Sequence, residues 1–371
     1  MLHAASPHDW DILLGSASRF RAGTGVTSPI MYALPEWSRN NAIDLDVVSQ
    51  NPAFLSNVND DMPKFYPLVA QGFVIGEHFS LTGAFKAPTD RGEEILADVL
   101  LDDLQRVQAS FHLMYVMQNF SYSLHFTQTR NVWLENSQAD FFYQFFRDFR
   151  LQFSSGGQIF DTPDWGRLEF GSGIKGVFRS GAEKLRSVSA FNSSTNFTDG
   201  QFLEQGFAIG LDYSLLWSSP DYYNSPWGYQ FAVVGKDVGT TRFFKAEALY
   251  ELLGVSIPFT REMPSYPNDT IVGFALKLPN FRDGIRSALR VEYGYWNRPI
   301  GTVDKLGVSY EVRFPKLASL YAGLRGNQWT GGLSLRFRGL EFDIGSFVDL
   351  WGSNTELKKR RSWVMELKGA F

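Results

Sequence analysis

The sequence predicts an all-β chain, an antiparallel β-barrel that crosses a membrane on about 14 strands, an even number as in single-chain bacterial barrels. Three observations predict it. Polar and apolar residues alternate with a period of two over runs of about 9–11 residues, the length a tilted strand needs to cross a bilayer. Aromatic residues are abundant, with 33 Phe, 15 Tyr and 10 Trp among 371 residues, and 34 glycines accompany them. Mean hydropathy is nevertheless middling, as it must be where half of each strand faces a polar lumen.

Taken in chain order, residues 1–66 are expected to form a plug or lead-in segment to a barrel spanning 67–371. Residues 1–7 lack a basic stretch followed by an apolar one, so an exported chain would be represented here in its mature form. In 93–109, Ile95, Leu96, Val99, Leu100, Leu104 and Val107 recur at spacings of three and four behind Glu93 and Glu94. That pattern predicts a helical insert. Tyr122, Leu124 and Phe126 alternate with Ser121, Ser123, His125 and Thr127, a strand pattern. The cluster Phe141, Phe142, Phe145, Phe146 and Phe149 admits two readings. It is a helix packed in or beside the barrel, or a strand apolar on both faces that touches lipid on one side and plug, subunit or trapped lipid on the other.

Alternation is clearest further on. Phe207, Ile209, Leu211, Tyr213 and Leu215 share one face of a strand, as do Leu289, Val291, Tyr293 and Tyr295. The same holds for Leu306, Val308, Tyr310, Val312 and Phe314, and for Leu333, Leu335 and Phe337. Trp363, Met365, Leu367 and Phe371 close the chain on one face. Short turns at 314–317 and 338–340 alternate with longer loops at 296–304 and 351–360, the arrangement expected when one rim carries turns and the other loops.

The polar faces supply candidate lumen-lining residues: Arg290, Glu292, Glu311, Arg313, Arg336, Glu341, Asp343, Glu366 and Lys368. They would set ion selectivity, or pair across strands and fill a narrow interior. Both signs are mixed, which favours pairing, because selective pores use rings of one sign. Lys358, Lys359, Arg360 and Arg361 form the densest charge run, flanked by Trp351 and Trp363. It is either a solvated loop tip or a site for lipopolysaccharide phosphates. The five histidines show no metal-ligand spacing, and neither a nucleophile elbow nor a phosphate loop is present. Ser123 and His125 share a strand face, but a lumen-facing polar pair explains them without catalysis. No enzyme activity, cofactor or metal is expected. With no Cys the chain is not a disulfide scaffold. A net charge of −4 sets aside nucleic-acid binding by bulk charge.

Two segments resemble a known group. Asn51-Pro52-Ala53-Phe54-Leu55 is similar to the Asn-Pro-Ala segment of FadL-like outer-membrane proteins, which include long-chain fatty-acid transporters and PorV-like and TraF-like barrels. Residues 206–216, followed by 231–241 with Asp237-Val238-Gly239, resemble a strand and Asp-Val-Gly element of the same group. The terminal Phe371 resembles the signal read by the barrel-assembly machinery. The resemblance implies a bacterial outer-membrane barrel that binds or transports hydrophobic molecules or lipids. Its partners would be outer-membrane lipids and, during biogenesis, the assembly machinery. A homo-oligomer enclosing lipid is one form it would take; a general porin or a non-transporting scaffold is the alternative.

Deleting Phe371 is expected to lower the yield of heat-modifiable barrel in the outer membrane, measured by gel migration with and without boiling; an unchanged yield would remove the assembly-signal reading.

Overall fold

A computed structural model describes residues 52–57, 65–75, 104–134, 140–187, 204–220, 222, 227–245, 268–282, 285–294, 301–314, 318–337, 340–353 and 356–369. Among them lie fifteen strands: β1 Phe65–Ile75, β2 Leu104–Met117, β3 Phe120–Leu134, β4 Asp140–Thr162, β5 Gly166–Ser187, β6 Glu204–Ser218, β7 Gly228–Lys236 and β8 Phe244–Lys245. There follow β9 Asp269–Arg282, β10 Ile285–Tyr293, β11 Leu306–Phe314, β12 Ala318–Arg325, β13 Gln328–Phe337, β14 Leu340–Ser353 and β15 Glu356–Gly369. A single helical turn, α1 Thr302–Lys305, precedes β11, and a 3-10 helix, Pro52–Asn57, precedes β1.

All strands join one antiparallel sheet. Its order runs β5-β4-β3-β2-β1-β15-β14-β13-β12-β11-β10-β9-β7-β6-β8. The first strand of that order, β5, also pairs with β6 from Arg167 opposite Ser218 to Gly181 opposite Glu204, which closes the sheet into a ring. The first and last strands meet as well, β1 pairing with β15 from Leu68 opposite Gly369 to Ile75 opposite Trp363. β8 has two residues and, among the described residues, pairs with β6.

The two rims differ. On the rim where β1 starts and β15 ends, two residues join β2 to β3, three join β4 to β5, and two join β13 to β14. On the other rim, 28 residues separate β1 from β2 and 16 separate β5 from β6, but two residues each join β12 to β13 and β14 to β15, so the longer loop expected at 351–360 is a tight turn. Strand lengths also vary around the ring. β10, β11 and β12 have 9, 9 and 8 residues, close to the minimum for crossing a bilayer, whereas β4 and β5 have 23 and 22.

β6 shows how the ring sorts its side chains. Ala208, Asp212, Ser214, Leu216 and Ser218 are buried, and Phe207, Ile209, Leu211, Tyr213 and Leu215 are exposed. The same alternation exposes Tyr122 and Phe126 on β3, Phe149 and Leu151 on β4, Phe170 and Ile174 on β5, Leu289 on β10, Leu335 on β13 and Leu367 on β15. Many of the buried partners on those strands are polar, among them His125, Asp148, Gln152, Glu169, Lys175 and Arg179. An apolar outside around a polar inside inverts the arrangement of a water-soluble barrel. It is stable only where the outside meets lipid, and ring closure pairs the strand edges that lipid could not satisfy. Aromatic contacts join the strands near the short-turn rim, Trp217 to Tyr229 at 5.3 Å and Tyr229 to Phe274 at 6.3 Å, and Trp217 Nε1 donates to Trp165 O at 2.8 Å. Rings with one polar end suit the membrane–water boundary.

Two expectations are corrected and one open reading is decided. Residues 104–109, the end of the segment expected to be helical from 93 to 109, belong to β2, and 93–103 lie outside the described residues. Residues 141–149 are strand, within β4, and not a helix. Short apolar runs fit either period, and here main-chain pairing with both neighbours decides for strand. The 358–361 run is not a loop tip. It lies in β15, with Trp351, Leu350, Asp349 and Val348 of β14 opposite its four residues in turn. Of the expected plug, 1–66, residues 1–51 and 58–64 lie outside the described residues, as does the terminal Phe371.

Ile209 is 55% exposed on the outer face of β6. Ile209→Arg is expected to lower folding stability in bilayers by about 2–4 kcal/mol, read as a shift in the urea midpoint, whereas the same change at a loop position should leave it unmoved.

Candidate functional site

The described inner wall gathers its chemistry on β3 to β7. Two features stand out: a docked helical turn near the short-turn rim, and an ion cluster where β7 leaves the wall.

Pro52–Asn57 packs on the inner face of β4, β5 and β6. Ala53 and Leu55 are fully buried. Ala53 N–H donates to Ser214 Oγ at 3.0 Å, and Asn119 N–H, in the β2–β3 turn, donates to Leu55 O at 3.2 Å. Ser56 Oγ donates to Glu169, whose carboxylate also pairs with Arg167 at 2.8 Å. Arg167 Nη2 in turn reaches Ser56 Oγ at 3.2 Å. The wall is shaped for this contact by small residues. A Cβ on Gly171 would stand 2.2 Å from Ala53 N, and one on Gly156 would stand 2.1 Å from Pro52 O. Both are backbone atoms and cannot move aside independently, so any larger residue must displace the turn.

The second feature is a break in the ladder. β6 and β7 pair from Ser218 opposite Gln230 up to Tyr213 opposite Gly235, and pairing resumes at Phe207 opposite Phe244. Between those points β6 advances six residues and the facing chain nine, so three extra residues must leave the wall. They turn inward. Thr241 is buried, and Thr241 Oγ1 and Asp237 Oδ1 lie 2.5 and 3.1 Å from where a Cβ would stand on Gly210, an inner-face position. Asp237 and Thr240 adopt left-handed φ of 52° and 68°, which costs a non-glycine residue on the order of 1 kcal/mol or more. β9 begins at Asp269, opposite Lys236. Among the described residues, therefore, no strand pairs with 237–245 on the side away from β6.

Side chains replace the missing ladder. Lys175, on β5, reaches across Gly210 to bind Asp212 Oδ1 and Oδ2 at 2.8 and 3.1 Å and Asp237 Oδ1 at 2.9 Å. Asp212 Oδ1 also accepts Asp237 N–H at 2.9 Å, and Thr241 Oγ1 donates to Asp237 Oδ1 at 2.7 Å. A main-chain bond also remains, Val238 N–H to Leu211 O at 2.8 Å. One turn of ladder away, Arg179 binds Asp148 through two nitrogens at 2.7 and 2.8 Å. Its guanidinium lies between the rings of Phe146 and Phe243 at 4.7 and 4.8 Å.

His125 and Ser123 come together, with Nε2 and Oγ 2.7 Å apart, but the polarity is wrong for nucleophile activation. Arg150 Nη2 lies 3.0 Å from His125 Nδ1. A guanidinium only donates, so Nδ1 accepts, the ring proton sits on Nε2, and Nε2 donates to the hydroxyl. A general base would present a lone pair there.

Of the residues singled out from the sequence, Arg290, Glu292 and Glu311 are buried on the inner wall of β10 and β11, and Arg290 pairs with Glu311. The side chains of Arg313, Arg336, Glu341, Asp343, Glu366 and Lys368 lie outside the described residues. Their backbone register sets Arg336 opposite Glu341, Glu341 opposite Lys368 and Asp343 opposite Glu366. Phe146 faces inward and Phe149 outward. The side chains of Phe141, Phe142 and Phe145, and of the 358–361 run, are likewise outside the described residues. Sequence reasoning missed Lys175, Asp212, Asp148 and Arg179. Lys175 and Asp212 do sit at polar positions of alternating strands, but the partner strands were not legible.

Fold and inner wall together define a membrane-spanning β-barrel of outer-membrane type. No family model and no curated protein matches the chain. Among solved structures, the chain is similar to the CymD monoaromatic hydrocarbon channel and to a Pseudomonas aeruginosa FadL homologue. Each likeness has a TM-score of 0.46 and 11% identity, over 96% of this chain and 97% of the other. It is similar also to the P. putida toluene transporter TodX, with a TM-score of 0.41 and 12% identity over 88% of this chain and 94% of that one. The barrel assignment itself rests on the strand pairing described above.

Gly171→Val is expected to displace the Pro52–Asn57 turn while leaving the ring closed. Limited proteolysis should then cut near residue 55 at least about tenfold faster than in the parent, on the scale of a backbone clash that cannot relax, with heat-modifiable migration retained.

Proposed function

We propose that this chain is a bacterial outer-membrane barrel that binds and passes hydrophobic molecules, and not a general porin. The observation that carries the reading is the filled state of the inner wall. Glu169, Ser218, Gln230, Ser319 and Ser334, on five different strands, have no solvent exposure. The lining of a water-filled pore would be wet. Charges on the described wall are tied to one another, as in Lys175 with Asp212, Arg179 with Asp148, and Arg290 with Glu311, and so do not form a ring of one sign.

A hydrophobic cargo has less need of a wet axial path, because it can leave sideways into lipid. The break at 237–243 supports such a route, since there the strand ladder gives way beside an apolar outer face. The outside also offers a groove of about 500 Å³ over β2 to β5, lined by Leu113, Tyr115, Leu124, Leu151, Phe153 and Ile174. That shape supports contact with lipid chains. The 358–361 run lies in β15 toward the β14–β15 hairpin, away from the chain ends, and those of its cations that a strand's alternation turns outward would meet lipid phosphates.

Native mass spectrometry of the barrel in mild detergent is expected to find apolar molecules or lipids retained, and planar bilayers should show no steady ion conductance. A ligand-free barrel that conducts steadily would replace this reading with the porin.

A further inference from the structure

We propose that Lys175 is the latch of a gate in the barrel wall, and that the inward excursion 237–243 is the moving part. The use of this gate for cargo rests on the transport reading above; the latch itself rests only on geometry.

A main-chain ladder holds a strand with many equivalent bonds. Here the ladder is interrupted, and among the described contacts the ion pair that holds the start of the excursion is made by one ammonium group. Lys175 Nζ bridges Asp212, on the fixed wall, to Asp237, at the start of the excursion. Without the cation, two carboxylates sharing one buried site would face each other across the seam, and like charges at that range repel strongly. The hydroxyl of Thr241 and the N–H of Asp237 hang on the same two carboxylates, so they would be lost with it.

The segment is also set to move once freed. Left-handed φ at both Asp237 and Thr240 is a conformation that contacts must hold in place. Gly239, with φ of 79°, has nothing within 4 Å of its Cβ position, and Val238 is 42% exposed, so the outer side of the turn is unobstructed. Among the described residues no strand flanks 237–245 on the β9 side. At its far end Phe243 rests on the Arg179 guanidinium, and Phe244 and Lys245 pair with β6, which provides a hinge. Gly210 completes the device, because a Cβ there would stand 2.7 Å from Lys175 Cε and block its path.

Hydrogen exchange on the purified full chain in detergent tests the latch. In Lys175→Met, amides of 237–245 are expected to exchange at least about tenfold faster, while β10 to β13 keep their protection. Lys175→Arg should restore protection. The triple change Lys175→Met, Asp212→Asn and Asp237→Asn removes the stranded charges, and it should exchange more slowly than Lys175→Met alone. Thr241→Val keeps the ion pairs and should loosen the segment by a smaller factor; it decides the matter if Lys175→Met fails to fold. Unchanged exchange in Lys175→Met, or in Thr241→Val where that variant decides, would overturn the latch, as would a triple variant as loose as Lys175→Met. Uptake of radiolabelled hexadecane into proteoliposomes is measured in parallel. A loosened segment with unaltered uptake would uphold the latch and rule out its use for cargo, whereas no uptake by the parent barrel would sink the transport reading.

Discussion

Main-chain hydrogen bonding in an apolar surrounding governs this molecule. Lipid offers no partner to an N–H or a C=O, so a strand edge left open in the bilayer costs several kcal/mol for each unpaired group. The pairing of β5 with β6 removes the last pair of edges, from Arg167 opposite Ser218 to Gly181 opposite Glu204. Once the ring is closed, the alternation of each strand has only one consistent orientation. Phe207, Ile209 and Leu211 must go outward, and Ala208 and Asp212 inward.

The same constraint explains why the interior is so heavily cross-linked. A polar inner face bent into a ring brings charged residues of neighbouring strands together, and burial makes any unmatched charge expensive. Arg179 therefore binds Asp148 through two nitrogens, and Arg290 takes Glu311. Pro52–Asn57 obeys the same rule. Its backbone finds Ser214 and Asn119, and its serine finds Glu169 and Arg167. Gly156 and Gly171 let that backbone approach the wall closely enough for the bonds to form.

The excursion at 237–243 is the exception to the rule, and a wall that must stay paired makes it conspicuous. Three surplus residues cannot remain in the ladder, so they fold inward, and Lys175, Asp212, Asp237 and Thr241 substitute for the lost bonds. The substitution is a different kind of fastening. Ladder bonds are numerous and independent, whereas here three donors, the Lys175 ammonium, the Asp237 N–H and the Thr241 hydroxyl, share two carboxylates, so that each depends on the others.

The sequence by itself determined that the chain is all-β and which face of each late strand is apolar. Those features are local: a period of two is visible within a single strand such as 207–215. Arg290, Glu292 and Glu311 were legible as polar-face residues for that reason. The tertiary structure alone decided the rest. Whether 104–109 and 141–149 were helix or strand depended on neighbours far away in the chain, because their apolar spacing fits both periods. The 358–361 run read as loop because four adjacent cations look solvated, yet pairing with 348–351 carries it into β15. The cluster of Lys175, Asp212 and Asp237 was hidden for the same physical reason. Its members lie on three segments, Lys175 is 37 residues from Asp212, and only ring closure and the three-residue surplus bring them to one point.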